Sequence, residues 1–322
     1  MTNKSLLGAA IALVRQQIAA GDLAGARARL QATRVPDDAA DPAARTALGL
    51  PRRLQSTWLR LAKAEGDAVA RLGLQALAVP PPELLAPLFP PLGACPQDET
   101  AVPPVLHQVW IGGPAPVTVA AWAAHAARHG WHHRLWDEAA LAAEGIAGDP
   151  LFVAMRARGD LPGAVDVARY AILARHGGVY LDCDWMPARP DLGPGSMVPA
   201  TGLSALAEAT PRLTHTGTLL LGNALIAAPP GHPVLRLLVD RLPQVAALLP
   251  GQPAWWVTGP LPFTLAARGA MVRLLPAATV AGQLPDATPL PEVEAAVAAN
   301  VARQGGALYA WKSWGGGGGG GG

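Results

Sequence analysis

The sequence predicts an α/β domain on a parallel sheet, preceded by an all-α N-terminal region. Two observations carry this. Between residues 103 and 184 short apolar runs alternate with amphipathic helical patterns, as right-handed crossovers in a parallel sheet require. The first 80 residues instead read as helical throughout.

The chain opens MTNKSLLGAAIALVRQQ, a lysine followed by ten apolar or small residues. This has a faint look of a signal peptide, but Arg15 and the continuing helical pattern favour an amphipathic helix. "AAGDLAGARARLQ" (19–31) and "KAEGDAVARLGLQ" (63–75) share the order Gly-Asp, Ala-Arg, Leu-Gln. Gly-Asp between Ala/Leu-rich segments makes a tight helix-to-helix turn, so each copy reads as a helical hairpin. The pair faintly resembles tetratricopeptide-type repeats, units that dock partners more often than they catalyse. We therefore expect hairpin repeats over 1–78, able to engage a protein partner. "VPPPELLAPLFPPLGACP" (79–96) cannot continue a helix and reads as part of a linker over 79–101.

"PPVLHQVWIGG" (103–113) reads as a buried strand running into a glycine-closed loop, "VAAWAAHAARH" (119–129) as a helix, and "WHHRLWD" (131–137) as a second strand. "AVDVARYAILARH" (164–176) follows as an amphipathic helix with Ala164, Ala168, Ala171 and Ile172 on one face. Asp166, Arg169 and Tyr170 are expected around its other, exposed face. Gly177 and Gly178 stop that helix, and Val179, Tyr180 and Leu181 form a strand ending in Asp182-Cys183-Asp184. Ligands gather at the carboxyl ends of parallel strands, so "WIGG" and "DCD" are expected to face one cleft. The eight closing glycines have nothing to bury and stand outside the fold.

Composition narrows the functions. Hydrophobic residues make up 51%, enough for a sizeable core. With 25 basic and 23 acidic residues the net charge is only +2, and no basic run suggests nucleic-acid binding. Two cysteines, Cys95 and Cys183, fit a reducing compartment rather than a disulfide framework. The longest charge-free stretch, 213–235, is broken by Gly217, Gly222, Asn223, Pro229, Pro230 and Pro233, a poor transmembrane helix. A cytoplasmic protein, or one peripheral at the inner membrane, is expected.

In an extended segment Asp182 and Asp184 aim both carboxylates to one side, with Cys183 turned to the other. Two hard oxygen ligands suit Mg²⁺ or Mn²⁺. On the pattern alone, a strand-to-turn and a metal site are almost equally served. Asp166 and Arg169, three apart, alone read as an ordinary helical ion pair; the alternative gives Arg169 a phosphate and Asp166 a sugar hydroxyl. His125, His129, His132 and His133 lack the glutamate of a His-Glu-X-X-His motif and read as structural. The glycine pair in "WIGGPAP" is not a G-x-G-x-x-G fingerprint and no P-loop occurs, so dehydrogenase and NTPase chemistry is unsupported.

The blocks "PPVLHQVWIGG", "WHHRLWDE", "AVDVARYAILARHGGVYLDCDW", "NALIAAPPGHP" (223–233), "TGP" (258–260) and "WKSW" (311–314) occur in one order. Together they resemble glycosyltransferases with a DXD-containing sugar-binding region: initiating α-mannosyltransferase-like proteins, capsular-polysaccharide transferases and, more distantly, large clostridial glucosylating toxins. The resemblance covers roughly 102–314. It implies a GT-A fold, Rossmann-like and mostly parallel, and a Mn²⁺- or Mg²⁺-dependent retaining transferase. It further implies a UDP- or GDP-sugar donor and a glycan, lipid-linked sugar or protein acceptor. By position Trp110 would stack on the base, Asp166 and Arg169 would hold sugar and phosphates, and Tyr180 belongs to the same nucleotide-sugar site. Asp182 would contact ribose and metal-bound water, Asp184 the metal, and Ser313 and Trp314 a closing lid, with Ser313 a further metal ligand. Val165 stands where relatives often carry serine, and Tyr309 where they often carry histidine. No carboxylate is nominated as nucleophile or base.

A catalytically inactive relative acting as a binding or scaffold protein would not need both aspartates, Arg169 and the Ser-Trp pair. A haloacid-dehalogenase-type phosphatase also carries Asp-X-Asp after a strand, but only Lys312 follows the aspartates and no second acidic motif appears.

Overall fold

The computed structural model describes residues 3–35, 45–46, 48–80, 82–208 and 220–314. The glycine tail and residues 213–219 of the charge-free stretch lie outside them. The chain divides into two compact units. One is built on Met1–Leu88, with Glu208–Leu220 and Ala247–Pro250. The other comprises Phe89–Ala207, Leu221–Ala246 and Gly251–Gly322.

In the first unit α1 (Asn3–Ala19) turns into α2 (Leu23–Ala32), and α3 (Arg52–Ala64) into α4 (Ala68–Ala76). The turns carry Gly21-Asp22 and Gly66-Asp67. Each aspartate caps the following helix, Asp22 accepting from Gly25 N and Asp67 from Ala70 N, both at 2.9 Å. Ile11, Val14, Ala26, Leu30, Leu54 and Leu61 fill the core between these helices. The Pro-rich passage departs from a plain linker. It contains a short helix, α5 (Pro82–Leu85), tolerated because proline opens it where no amide hydrogen bond is lost.

In the second unit β1 (Val105–Val109), α6 (Val117–Arg128), β2 (His132–Trp136), α7 (Glu138–Ala143), α8 (Pro150–Ala157), α9 (Leu161–His176) and β3 (Gly178–Leu181) follow one another. Then come β4 (Trp185–Pro187), β5 (Leu203–Ala207), β6 (Leu221–Ala228), α10 (Pro233–Leu248), α11 (Ala254–Val257), α12 (Pro260–Ala266), β7 (Val272–Leu275), β8 (Val280–Gln283), α13 (Leu290–Ala302) and β9 (Leu308–Ala310). Among the described residues, six strands form one sheet in the order β2-β1-β3-β6-β5-β7, and β4-β9-β8 a smaller one. β1 runs parallel to both β2 and β3, and β5 to β7. β6 alone opposes its neighbours, so the α/β sheet is mostly, not wholly, parallel.

Alternation along the strands sorts the faces. Leu106, Val179, Leu181, Leu225 and Ala227 enter one core with Trp122 of α6 and Leu308 of β9. His107 and Tyr180 turn toward α9, His107 Nε2 bonding Gly177 O at 3.0 Å and Tyr180 lying beneath Arg169. Gly177 and Gly178 allow α9 to reverse into β3, with φ of +63° and +98°. A Cβ on Gly177 would lie 2.5 Å from Pro230 N, and one on Gly178 2.7 Å from Val105 O. Among the described residues no helix is long and apolar enough to cross a membrane.

Candidate active site

β1 and β3 are adjacent and parallel, so their carboxyl ends open side by side. Cys183 Sγ meets Val109 O at 3.4 Å, and Gln108 Nε2 reaches Asp182 O at the same distance. Asp182-Cys183-Asp184 is a turn rather than the extended segment expected, because β3 ends at Leu181. Cys183 is buried, and its carbonyl accepts from the Thr118 hydroxyl. Asp182 N donates to Ala224 O at 2.8 Å, anchoring the turn on β6.

Asp166, Arg169 and Tyr170 do not occupy an exposed helix face. All three are buried, Arg169 to 4% exposure, because β6 and the 258–260 turn cover that side of α9. Arg169 Nη2 stands 3.0 Å from Asp166 Oδ1 and 2.9 Å from Asp182 Oδ1, while Nη1 donates to Asn223 O. Its guanidinium carbon lies 4.5 Å above the Tyr180 ring, and the Tyr180 hydroxyl donates to Asp182 Oδ1 at 2.7 Å. Asp166 takes two more donors, Asn223 Nδ2 at 2.8 Å and Thr258 Oγ1 at 2.9 Å. Asn223 Nδ2 also donates to the Tyr170 hydroxyl at 3.0 Å. This is a buried network around one cation, whose Nε alone lacks a hydrogen-bond partner, not a surface ion pair worth a few tenths of a kcal/mol.

The C-terminal end reaches the same place through the small sheet. β4 pairs antiparallel with β9, Trp185 opposite Ala310, and the next step gives Trp311 N to Asp184 O at 2.7 Å. Lys312 is close enough to act on Asp184 electrostatically. Ser313 follows, half-buried, and the Trp314 ring packs edge-on against Trp110 with centroids 4.9 Å apart. Trp110 Nε1 donates to Gly113 O at 3.1 Å, and Glu138 accepts from Gly112 N at 2.7 Å, which holds the glycine loop. Tyr309 looks elsewhere, its hydroxyl 2.8 Å from Arg303 Nη2 beside α13.

Burial is the largest influence on the charged groups of the site. Burial raises the Asp184 carboxyl to about 6, and Asp182 adds to the rise, with Lys312 opposing. Burial likewise lifts Asp166 to about 6 against the pull of Arg169. Burial works against the Arg169 charge, but Asp182, Tyr180 and Asp166 more than reverse it. Asp184 Oδ1 is buried without a hydrogen-bond partner, whereas Asp182 Oδ1 is already held by Arg169 and Tyr180.

Residues 147–198 match the family model described as the glycosyltransferase sugar-binding region containing the DXD motif. The chain carries a glycosyltransferase DXD region. That match takes in Asp166, Arg169, Tyr180, Asp182 and Asp184 and leaves out Trp110, Ser313 and Trp314. The chain is also similar to the putative glycosyltransferase HOC1 of Saccharomyces cerevisiae, 36% identical over 86 residues. That alignment spans 24% of this chain and 22% of the relative, about a fifth of its length. Among solved structures the PaToxG glycosyltransferase aligns over 58% of this chain and 73% of that one, at 17% identity and a TM-score of 0.40.

Around the glycosyltransferase motif, reading by residue type missed Asn223 and Thr258, which complete the Asp166 network. Their signal was present: Asn223 is the polar residue of the otherwise apolar run LGNALIAA, and Thr258 opens "TGP". Three of the four histidines between 125 and 133 are spent on structure. His125 packs edge-on against Trp122 at 5.1 Å, His129 bonds Pro190 O, and His133 bonds Gln108 Oε1, both at 3.0 Å.

Proposed function

We propose that the chain is a divalent-metal-dependent, retaining glycosyltransferase that moves a sugar from a UDP- or GDP-sugar to a glycan, lipid-linked or protein acceptor. The observation carrying this reading is the convergence of Asp182, Asp184, Arg169 and Asp166 at the strand ends where Trp110 and Trp314 also meet.

The residues fit a hard divalent ion: Asp184 presents a buried carboxylate oxygen with no donor, and no soft ligand adjoins it except a buried, inward-facing thiol. Asp184, with Asp182 and Ser313, would hold Mn²⁺ or Mg²⁺. With the ion bound, charge growing on the departing nucleoside diphosphate is neutralised. Trp110 stacks on the base, and Trp314 covers the site so that water does not intercept the activated sugar. Arg169 keeps Asp166 and Asp182 oriented, Asp166 toward the donor sugar and Asp182 toward ribose. Tyr180 supports both through its ring and hydroxyl. We assign no protein nucleophile or base.

The helical hairpins over 1–78 are proposed to recruit the acceptor or a partner protein, supported by Val69 and Leu72 of α4, 84% and 51% exposed. A cytoplasmic setting, or the inner membrane face, agrees with such acceptors. A screen of UDP- and GDP-sugars for Mn²⁺-dependent hydrolysis or transfer tests the reading. It fails if none turns over and Asp184→Ala leaves nucleotide affinity unchanged; that outcome would favour a binding protein.

A further inference from the structure

Cys95, Asp98 and His232 present ligand atoms that all lie within 4.8 Å of one another, away from the aspartates of the glycosyltransferase motif in sequence. We propose that they form a zinc site, with the Cys95 thiolate, Asp98 Oδ1 and His232 Nε2 as ligands and water completing a tetrahedron. Asp98 is 3% exposed and His232 fully buried, yet Asp98 Oδ1 and His232 Nε2 are buried atoms without a hydrogen-bond partner. Their separation, 3.5 Å, is too long for a good hydrogen bond. It matches two ligands of one ion: bonds of about 2.1 Å at a tetrahedral angle put ligand atoms about 3.4 Å apart.

The ligands are aimed by their own elements. Asp98 Oδ2 accepts from Cys95 N at 2.8 Å, leaving Oδ1 directed at His232. The Asp98 carbonyl accepts from Arg273 Nη1 at 3.1 Å and the Thr100 carbonyl from Gly202 N at 3.1 Å, so the segment is fastened to β7 and to the residue before β5. His232 enters α10, its Nδ1 accepting from Val234 N at 3.3 Å. Binding at Nε2 places the ring proton on Nδ1 and gives up that already long contact. The Cys95 thiol proton leaves to solvent as the sulfur–zinc bond forms. A thiolate, an imidazole and a carboxylate suit zinc, whereas the all-oxygen set at Asp182 and Asp184 suits Mg²⁺ or Mn²⁺. The metal would staple the chain before β1 to the β6–α10 corner, independently of transfer chemistry.

The rival arrangement is a neutral imidazole that points Nε2–H weakly at Asp98. Cobalt titration of the full chain, stripped of metal, separates the two. The expected result is a thiolate-to-cobalt charge-transfer absorption that is displaced by equimolar zinc, persists in Asp184→Ala and disappears in Cys95→Ser. Loss of a direct ligand should weaken zinc binding by about 100-fold or more, since loss of outer-shell partners alone costs 10–100-fold. Should Cys95→Ser fold poorly, alkylation of the wild-type chain serves instead: zinc, and not Mg²⁺, should protect Cys95. Cobalt binding without the thiolate band, or Cys95 alkylation unaffected by zinc, would overturn the site.

Discussion

Arg169 and Asp182 pair at 2.9 Å across the α9–β3 reversal, and the same guanidinium nitrogen holds Asp166 at 3.0 Å. One buried cation therefore serves two carboxylates, and removing it strands both. Arg169→Ala is expected to destabilise the chain by about 3–5 kcal/mol, the cost of breaking a buried pair from one side. Arg169→Lys should recover only part, because an ammonium cannot reproduce the fork that reaches Asp166, Asp182 and Asn223 O together. Urea unfolding of the three proteins measures this. A loss below 1 kcal/mol for the alanine variant would mean that the pair is solvated.

Asp184 makes a prediction of the opposite sign. Burial and Asp182 raise its carboxyl to about 6 from an ordinary value near 3.8. The protonated form is the one the fold favours, so this contribution is full below pH ~4 and is lost as pH rises through ~6. For the metal-free chain, Asp184→Asn should gain roughly 1–3 kcal/mol at pH 7 and nothing near pH 4, at about 1.4 kcal/mol per pKa unit. The same substitution should abolish metal-dependent transfer. Thermal melts at the two pH values, with chelator, test it; equal effects at both would refute the assignment.

Trp314 is 37% exposed, with its ring 4.9 Å from Trp110. Nucleoside diphosphate binding with Mn²⁺ should change tryptophan emission, and Trp314→Ala should diminish that change. If the ring excludes water, the variant should also raise the ratio of donor hydrolysis to transfer. An unchanged ratio would limit Trp314 to packing.

Thr258 donates to Asp166 Oδ2 at 2.9 Å inside the buried network. Thr258→Val keeps the shape and removes the donor, so about 1–3 kcal/mol should be lost. Thr258→Ser should retain most of the stability. Parity of valine with wild type would show that the Thr258 donor to Oδ2 contributes nothing.

Gly177→Ala tests the reversal itself. Its φ of +63° and a Cβ contact of 2.5 Å to Pro230 N leave no room for a side chain. A loss of roughly 2 kcal/mol or more in denaturant unfolding is expected from strain and displaced backbone. Gly8→Ala, whose Cβ meets nothing within 4 Å, is the control.

Much of this molecule is legible without coordinates because it depends on local chemistry. Short apolar runs and helical patterns fall where β1, β2, β3 and α9 form, since apolar segments must be buried wherever they occur. Spacing also made Asp182 and Asp184 candidates, since turn and metal site both require short carboxylates beside a strand end. The amphipathic reading failed on α9 itself. Asp166, Arg169 and Tyr170 look solvent-facing in a helical wheel, yet β6 and Thr258, 54–92 residues downstream, bring partners that make burial tolerable. No one-dimensional pattern reports a partner so remote.

The sequence by itself determined an α/β chain and a short set of residues able to do metal and phosphate chemistry. Only tertiary structure decided which of them lie together. The antiparallel β4–β9 pairing brings Trp311 N to Asp184 O, and with it Trp314 to Trp110. The reversed strand β6 delivers Asn223 to Asp166 and Arg169. Both follow from backbone hydrogen bonds closing between distant segments, whose geometry is settled by the packing of the whole sheet and not by neighbours in the chain.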